Sequence, residues 1–242
     1  MIYLLAGMSV LFIAIGFILT ENNAKYILSG YNTLSQEDRK KVDIQNYVPF
    51  FRRFHLFLGI SLFVFGILLT YFIHINVGGI FVAVYPILAY IYFALTSSKF
   101  SRELESKNDK YAIVILVGVL IFMVGLLGYG FTENRLIIDS QKLILQGNYG
   151  ETLTPNQIKS IQLVNELPEI SLKMNGFALG TVKKGYFRTR EGEKVKLILN
   201  KANKPYLFIA KANGQKIYYS PQNGWNEKML EILKNFKSLE FP

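Results

Sequence analysis

The sequence predicts a multi-pass α-helical membrane region of four helices, followed by an α+β C-terminal domain. The latter reads as a small antiparallel β-barrel or sandwich of about seven strands, capped by a C-terminal helix. Long runs free of Asp, Glu, Lys and Arg occur only before residue 132. Beyond it the hydrophobic period changes from 3.6 to about 2, the period of half-buried strands. Over 221–237 a helical apolar stripe returns. The domains are therefore 1–132, the membrane region, and 133–242, the β domain with its closing helix.

A span needs roughly 20 apolar residues to cross about 30 Å of hydrocarbon. Residues 2–20 carry no charge and give the first; a basic segment and a small-residue cleavage site are lacking, so a retained helix is expected rather than a signal peptide. Phe54–Ser98 is uncharged for 45 residues, enough for two spans, 54–73 and 79–97, broken at His74–Gly79 by Asn and paired Gly. Pro86 falls inside the third, and 111–131 gives the fourth. Gly59 and Gly66, and Gly118, Gly125 and Gly128, are suited to close helix packing.

Basic residues set the orientation. Lys25, Arg39, Lys40, Lys41, Arg52 and Arg53 lie in the 21–53 loop, and Lys99, Arg102, Lys107 and Lys110 in the 98–110 loop. On the other side, only Arg135 and Lys142 follow the fourth span closely. Positive residues favour the cytoplasm, so both termini and the C-terminal domain are expected outside it. In the 21–53 loop, Ser35-Gln36-Glu37-Asp38 has the capping-box pattern, predicting a helix over 36–47 that stops before Pro49. The loop reads either as a polar connector or as a docking or sensing element around Gly30, Tyr31, Asn32 and Thr33.

In the C-terminal region β-prone runs occur at 135–138, 142–146, 158–164, 170–174, 177–182, 185–190, 194–199, 206–210 and 216–220, with turns at Arg190–Glu193 and at Asn213-Gly214. Ser220 and Pro221 suit a helix start. Trp225, Met229, Ile232, Leu233 and Phe236 then form one stripe, expected to cover an open end of the sheet.

Chemistry has little to work with. Without cysteine there is no disulfide, thiolate nucleophile or cysteine-based metal site. The two histidines, His55 and His74, stand at opposite ends of the second span, about 28 Å apart along a helix, and read as interfacial side chains. Nucleophile-elbow, P-loop and zinc-protease motifs are absent, and so are charged residues inside the spans that would mark an ion path. No enzyme, metal or cofactor is expected. The net charge is +10, of which the last 112 residues carry +7. Lys183, Lys184, Arg188, Arg190, Lys194 and Lys196 concentrate along two strands; they form either a solvated outer face or a contact for anionic headgroups.

Two resemblances attach to these motifs. Ile158–Val164, Leu167-Pro168, Asn175-Gly176-Phe177-Ala178-Leu179-Gly180 and Gly185-Tyr186-Phe187 resemble the bacterial pleckstrin-homology-like domains fused to membrane helices, over roughly 133–220. The resemblance implies a binding or interaction role. The turn that carries the lipid-binding basic loop in eukaryotic relatives is here Asp139-Ser140-Gln141, so lipid specificity does not carry over. Residues 1–97, with Gly30-Tyr31-Asn32-Thr33-Leu34-Ser35, resemble a three-helix bacterial membrane domain of unknown function and, more distantly, the SdpI immunity family. Together these imply a bacterial cell-membrane protein. Its expected role is a surface-presented binding module or, alternatively, an immunity or envelope-stress sensor acting through its helices and first loop. The implied partners are the bilayer, a protein or envelope ligand, and a second copy of the chain; nucleic acid is not among them.

Overall fold

The computed structural model describes residues 1–28, 31–101, 107–139 and 142–225. Gly30, the Ser140-Gln141 part of the first strand turn, and the expected helix beyond Trp225 lie outside them. The chain divides into two compact units, Met1–Leu126 and Leu127–Pro242.

The first unit holds α1 (Ile2–Ile18), two short helices α2 (Ala24–Ile27) and α3 (Gln36–Lys40), α4 (Ile44–Leu68), α5 (Ile75–Ser97) and most of α6 (Lys107–Phe131). Among the described residues three helical stretches are long and apolar enough to cross a membrane: Ile44–Ile73, Ile75–Ser101 and Lys110–Phe131. The apolar α1 has 17 residues, about 26 Å at 1.5 Å per residue.

Several boundaries differ from expectation. Asp43 caps α4 by accepting from the Asn46 N–H at 3.2 Å. The helix therefore starts at Ile44 and runs through Pro49, which lacks the N–H for one helical bond. The expected 36–47 helix is instead the one-turn α3, capped by Ser35 as the sequence suggests. At the hairpin, a π-helical turn Leu69–Ile73 precedes α5, and His74 is the cap. Gly78 and Gly79 are thus helical. Gly78 is small because a Cβ there would meet the Thr70 side chain.

α1 and α4 pack antiparallel on a glycine face, with Gly16 beside Arg52 and His55, Gly59 beside Ser9 and Ile13, and Gly66 beside Leu5. A Cβ on Gly59 would stand 2.7 Å from the Ser9 carbonyl oxygen. Backbone cannot yield as a side-chain tip can. Gly59→Val should therefore cost about 1–3 kcal/mol by overpacking, read as a lower melting temperature of the helical signal by circular dichroism of the detergent-solubilised chain. Leu5, Phe12, Leu58, Leu62 and Val82 form the core between α1, α4 and α5. Around Gly118, Gly125 and Gly128 of α6, by contrast, there is open space, and the close packing expected of them is not seen among the described residues.

The second unit is two open sheets rather than a closed barrel. β1 (Arg135–Asp139), β2 (Lys142–Gln146) and β3 (Glu151–Leu153) form one. β4 (Ile158–Val164), β5 (Ile170–Leu179), β6 (Val182–Thr189), β7 (Lys194–Leu199), β8 (Tyr206–Lys211) and β9 (Lys216–Ser220) form the other, in the order β4-β8-β9-β7-β6-β5. The expected runs 170–174 and 177–182 are one bulged strand, β5, and the short β3 was not anticipated. The sheet is also not wholly antiparallel, since β9 lies parallel to β7.

Leu143, Leu145 and Leu153 of the small sheet meet Ile198, Leu207, Ile209, Ile217 and Tyr219 of the large one, with Trp225 packed against them. A second cluster includes Phe187, Val195, Leu197, Leu199 and Tyr206. Together they bury both faces of β7. The Gly-rich run has a backbone reason: Gly176 pairs with Gly185 across β5 and β6, at φ +140° and +128°. A Cβ on either would strike the carbonyl of the facing strand. Finally, 221–225 is not helical; Gly224 has φ +77°, which no α-helix accommodates.

Candidate functional site

The six basic residues of β6, β7 and their junction do not share one surface. Lys184 is 1% exposed, and its Nζ donates to the Thr132 carbonyl just past α6. Burial pulls its pKa down to about 8, against a smaller upward pull from Glu133. Lys196 is 3% exposed and donates to Glu151 Oε1 at 2.6 Å, while Lys211 donates to Oε2 at 2.6 Å. Burial alone would raise the Glu151 carboxyl, but the hydrogen bonds and charges of Lys196 and Lys211 leave it below its ordinary 4.5. Lys194, at the surface, lies 4.5 Å from the centre of the Tyr186 ring, and Arg190 pairs with Glu169 at 2.8 Å. Arg188 is exposed and Lys183 half-buried. Four of the six are thus available to solvent, while Lys184 and Lys196 serve the interior.

The passage from helix to sheet is a buried polar clamp that the sequence reading missed. Only Thr132, Glu133 and Asn134 separate α6 from β1. Asn134 is fully buried and Asn200 nearly so. The Asn134 N–H donates to Asn200 Oδ1 at 2.8 Å, and Asn200 Nδ2 donates to the carbonyls of Asn134 at 2.7 Å and Ser220 at 3.0 Å. Tyr219 adds its hydroxyl to the Asn134 carbonyl at 3.2 Å, and Asn148 Nδ2 reaches back to the Tyr129 carbonyl in the last turn of α6. With Lys184 on Thr132, the exit of the helix is held from several strands at once.

The first loop is ordered by one guanidinium. Arg39 Nε donates to the Tyr31 carbonyl at 3.2 Å, Nη2 donates to the Asn32 carbonyl at 2.7 Å, and the group lies 5.8 Å from the Tyr31 ring centre. Tyr31 itself packs on an apolar cluster of Leu19, Ala24 and Val48 at the base of α1 and α4. Asp38 accepts from the Ser35 N-cap and from Lys41 at 2.8 Å; these bonds, that from Lys41 foremost, hold its carboxyl below the usual range. The Asp43 N–H donates to the Phe100 carbonyl, tying the loop to the turn that follows α5. The result is a cleft of about 580 Å³ lined by Tyr31, Arg39, Lys40, Lys41, Val42, Asp43, Ile44 and Gln45.

Within the helices, His55 is enclosed by protein and only 1% exposed. Its Nδ1 meets the Phe51 carbonyl at 2.8 Å and its Nε2 the Tyr90 hydroxyl at 3.1 Å, among the rings of Phe51, Phe54 and Phe93. Ser61 meets the Tyr85 hydroxyl at 2.6 Å. These contacts link α4 to α5. Among the described residues no group of three His, Asp or Glu side chains is placed to hold a metal ion.

No curated protein and no solved structure matches the chain. Residues 6–101, which take in nearly all of α1, the loop cleft, α4 and α5, match the family model of a domain of unknown function (DUF3784).

Proposed function

We propose that the chain is a four-span protein of a bacterial cell membrane, α1 included, which presents a pleckstrin-homology-like β-sandwich on the extracytoplasmic side as a binding module for a protein or envelope ligand. Its role is recognition, not catalysis. The clamp at Thr132–Asn134 carries this reading, because a β region fastened directly to the end of an apolar helix is kept at the bilayer without a free linker. The paired Gly176 and Gly185 and the two-sheet core support the pleckstrin-like comparison.

Orientation has its own support. The C-terminal end of α1, the N-terminal end of α4 and the C-terminal end of α5 lie together, and with their connecting loop they carry Lys25, Arg39, Lys40, Lys41, Arg52, Arg53 and Lys99. The opposite hairpin, 69–76, has none. The basic end belongs in the cytoplasm. Alkaline phosphatase fused after Phe241 should be active, and a fusion in the 98–110 loop inactive; the reverse pattern would overturn the orientation.

A second reading, an immunity or envelope-stress sensor working through the helices and first loop, is favoured by the hold of Arg39 on Tyr31 and Asn32. Under it, Arg39→Ala should abolish protection or signalling in cells while membrane levels of the protein stay unchanged.

A further inference from the structure

We propose that the first-loop cleft is a binding site for a singly charged phosphate ester, seated between Arg39, Lys40 and Tyr31. The inference concerns α1–α5 alone and does not depend on what the β region binds.

The cleft is preformed. Arg39 braces the Tyr31–Asn32 backbone from within, Tyr31 rests on the Leu19–Ala24–Val48 cluster, and Asp43 is tied to Phe100. A ligand would therefore meet fixed groups instead of ordering a loose loop, which removes part of the entropic cost of binding.

Charge sets the class of ligand. The wall carries Arg39, Lys40 and Lys41 against Asp43. Asp38, not on the wall, pairs with Lys41. With Lys41 paired to Asp38, Arg39 and Lys40 stand on the wall against Asp43 and leave one positive charge there, Glu37 of α3 being exposed and off the wall. The Asp43 oxygens are already engaged by Asn46, Oδ1 with its N–H and Oδ2 with Nδ2. Two donors of the Arg39 guanidinium are spent on carbonyls, out of the five that an arginine has. Lys40 is exposed, and among the described residues no hydrogen bond or ion pair engages it. A surplus of one suits a phosphodiester better than a phosphate dianion. It disfavours a zwitterionic headgroup, whose own cation the wall would repel. Val42 and Ile44 give the same cleft an apolar side for the carbon part of an ester.

Two sources fit this chemistry, an anionic lipid headgroup and a soluble phosphate ester. Tyr26 and Ile27, on the same loop, are 73% and 48% exposed, and Lys25 lies over the Tyr26 ring. Such residues lie comfortably at headgroup depth, which brings lipid within reach of the loop.

Native mass spectrometry of the full chain in detergent, with phosphatidylglycerol or phosphatidylcholine added, tests the site. Phosphatidylglycerol should be retained in preference, and Lys40→Ala should weaken it about tenfold, the scale of one charge-assisted contact, with Lys40→Arg restoring it. Arg53→Ala, at the same end but off the cleft, should change it less than about twofold, as expected of a screened surface charge. Dimethyl phosphate, a soluble phosphodiester of one negative charge, separates the sources. If it binds saturably and displaces the lipid in a Lys40-dependent manner, a soluble ester shares the site; if it does not, the ligand is lipid. Equal loss in Lys40→Ala and Arg53→Ala, equal retention of the two lipids with no saturable binding of dimethyl phosphate, or no effect of Lys40→Ala on either probe would overturn the proposal.

Discussion

Asn200→Ala should destabilise the β region by roughly 2–4 kcal/mol. The amide of Asn200 serves three buried backbone groups, the Asn134 N–H and the carbonyls of Asn134 and Ser220. Each group left without a partner in the interior costs about 1–3 kcal/mol. The Asn134 carbonyl retains the Tyr219 hydroxyl and the Ser220 carbonyl retains the Asn200 N–H as donors, so only the Asn134 N–H is left without a partner and the total falls well short of the full sum. Trp225, the sole tryptophan, donates to the Pro205 carbonyl at 2.6 Å and packs on the sandwich core. Its emission during urea unfolding in mild detergent reports the change. Lys173→Ala, on the exposed part of β5, should stay within about 0.5 kcal/mol. An Asn200→Ala protein as stable as that control would show that the clamp is dispensable.

Glu151→Ala is expected to cost somewhat more, about 3–5 kcal/mol, for a different reason. The substitution strands the Lys196 ammonium, 3% exposed, without its carboxylate, and an uncompensated interior charge is worth about that much. Replacing Glu151, Lys196 and Lys211 together with methionine should recover most of the loss, since no charge of the cluster is then left unpaired. The pair also sets an acid limb. The folded carboxyl is held below 4.5, so its contribution is complete above that value and disappears as pH falls through the lower, folded one. Below pH 4.5 the wild-type protein should lose stability more steeply than Glu151→Gln, as measured by urea midpoints across pH. Parallel curves would remove Glu151 from the account.

Lys196 also shows where the sequence could be read and where it could not. Strand positions followed from alternation, which reports the period of a segment but not its neighbours. Lys194-Val195-Lys196 looks like a strand with its lysines in water. The Leu197-Ile198-Leu199 that follows is apolar on both faces, the mark of a strand covered on both sides. Lys196, in phase with Ile198, therefore had an interior face available. The placement of β9 beside β7 left no such trace, because partner choice is a property of the assembled sheet.

His55 escaped for a simpler reason. Counting the span from the first uncharged residue put it at a helix end, whereas the Asp43 cap starts α4 eleven residues earlier. In the first loop, Ser35 and Asp38 were legible as a local capping pattern. The grip of Arg39 on Tyr31, eight residues back, was not, since spacing alone does not bring a side chain to a carbonyl.

The position of β9 bears on how the protein is made. During synthesis β4 emerges early, and β5, β6 and β7 can zip together in turn as a meander. β8 can join β4, but β9 alone bridges the β4-β8 pair and the β5-β6-β7 group. Until Lys216–Ser220 leaves the ribosome, the six-stranded sheet exists as two separate halves with open edges. Chain growth at 5–20 residues per second thus leaves a window of seconds in which those edges are exposed while the helices are already available to the membrane. A nascent chain stalled ahead of β9 would present unpaired strand edges and be prone to aggregate.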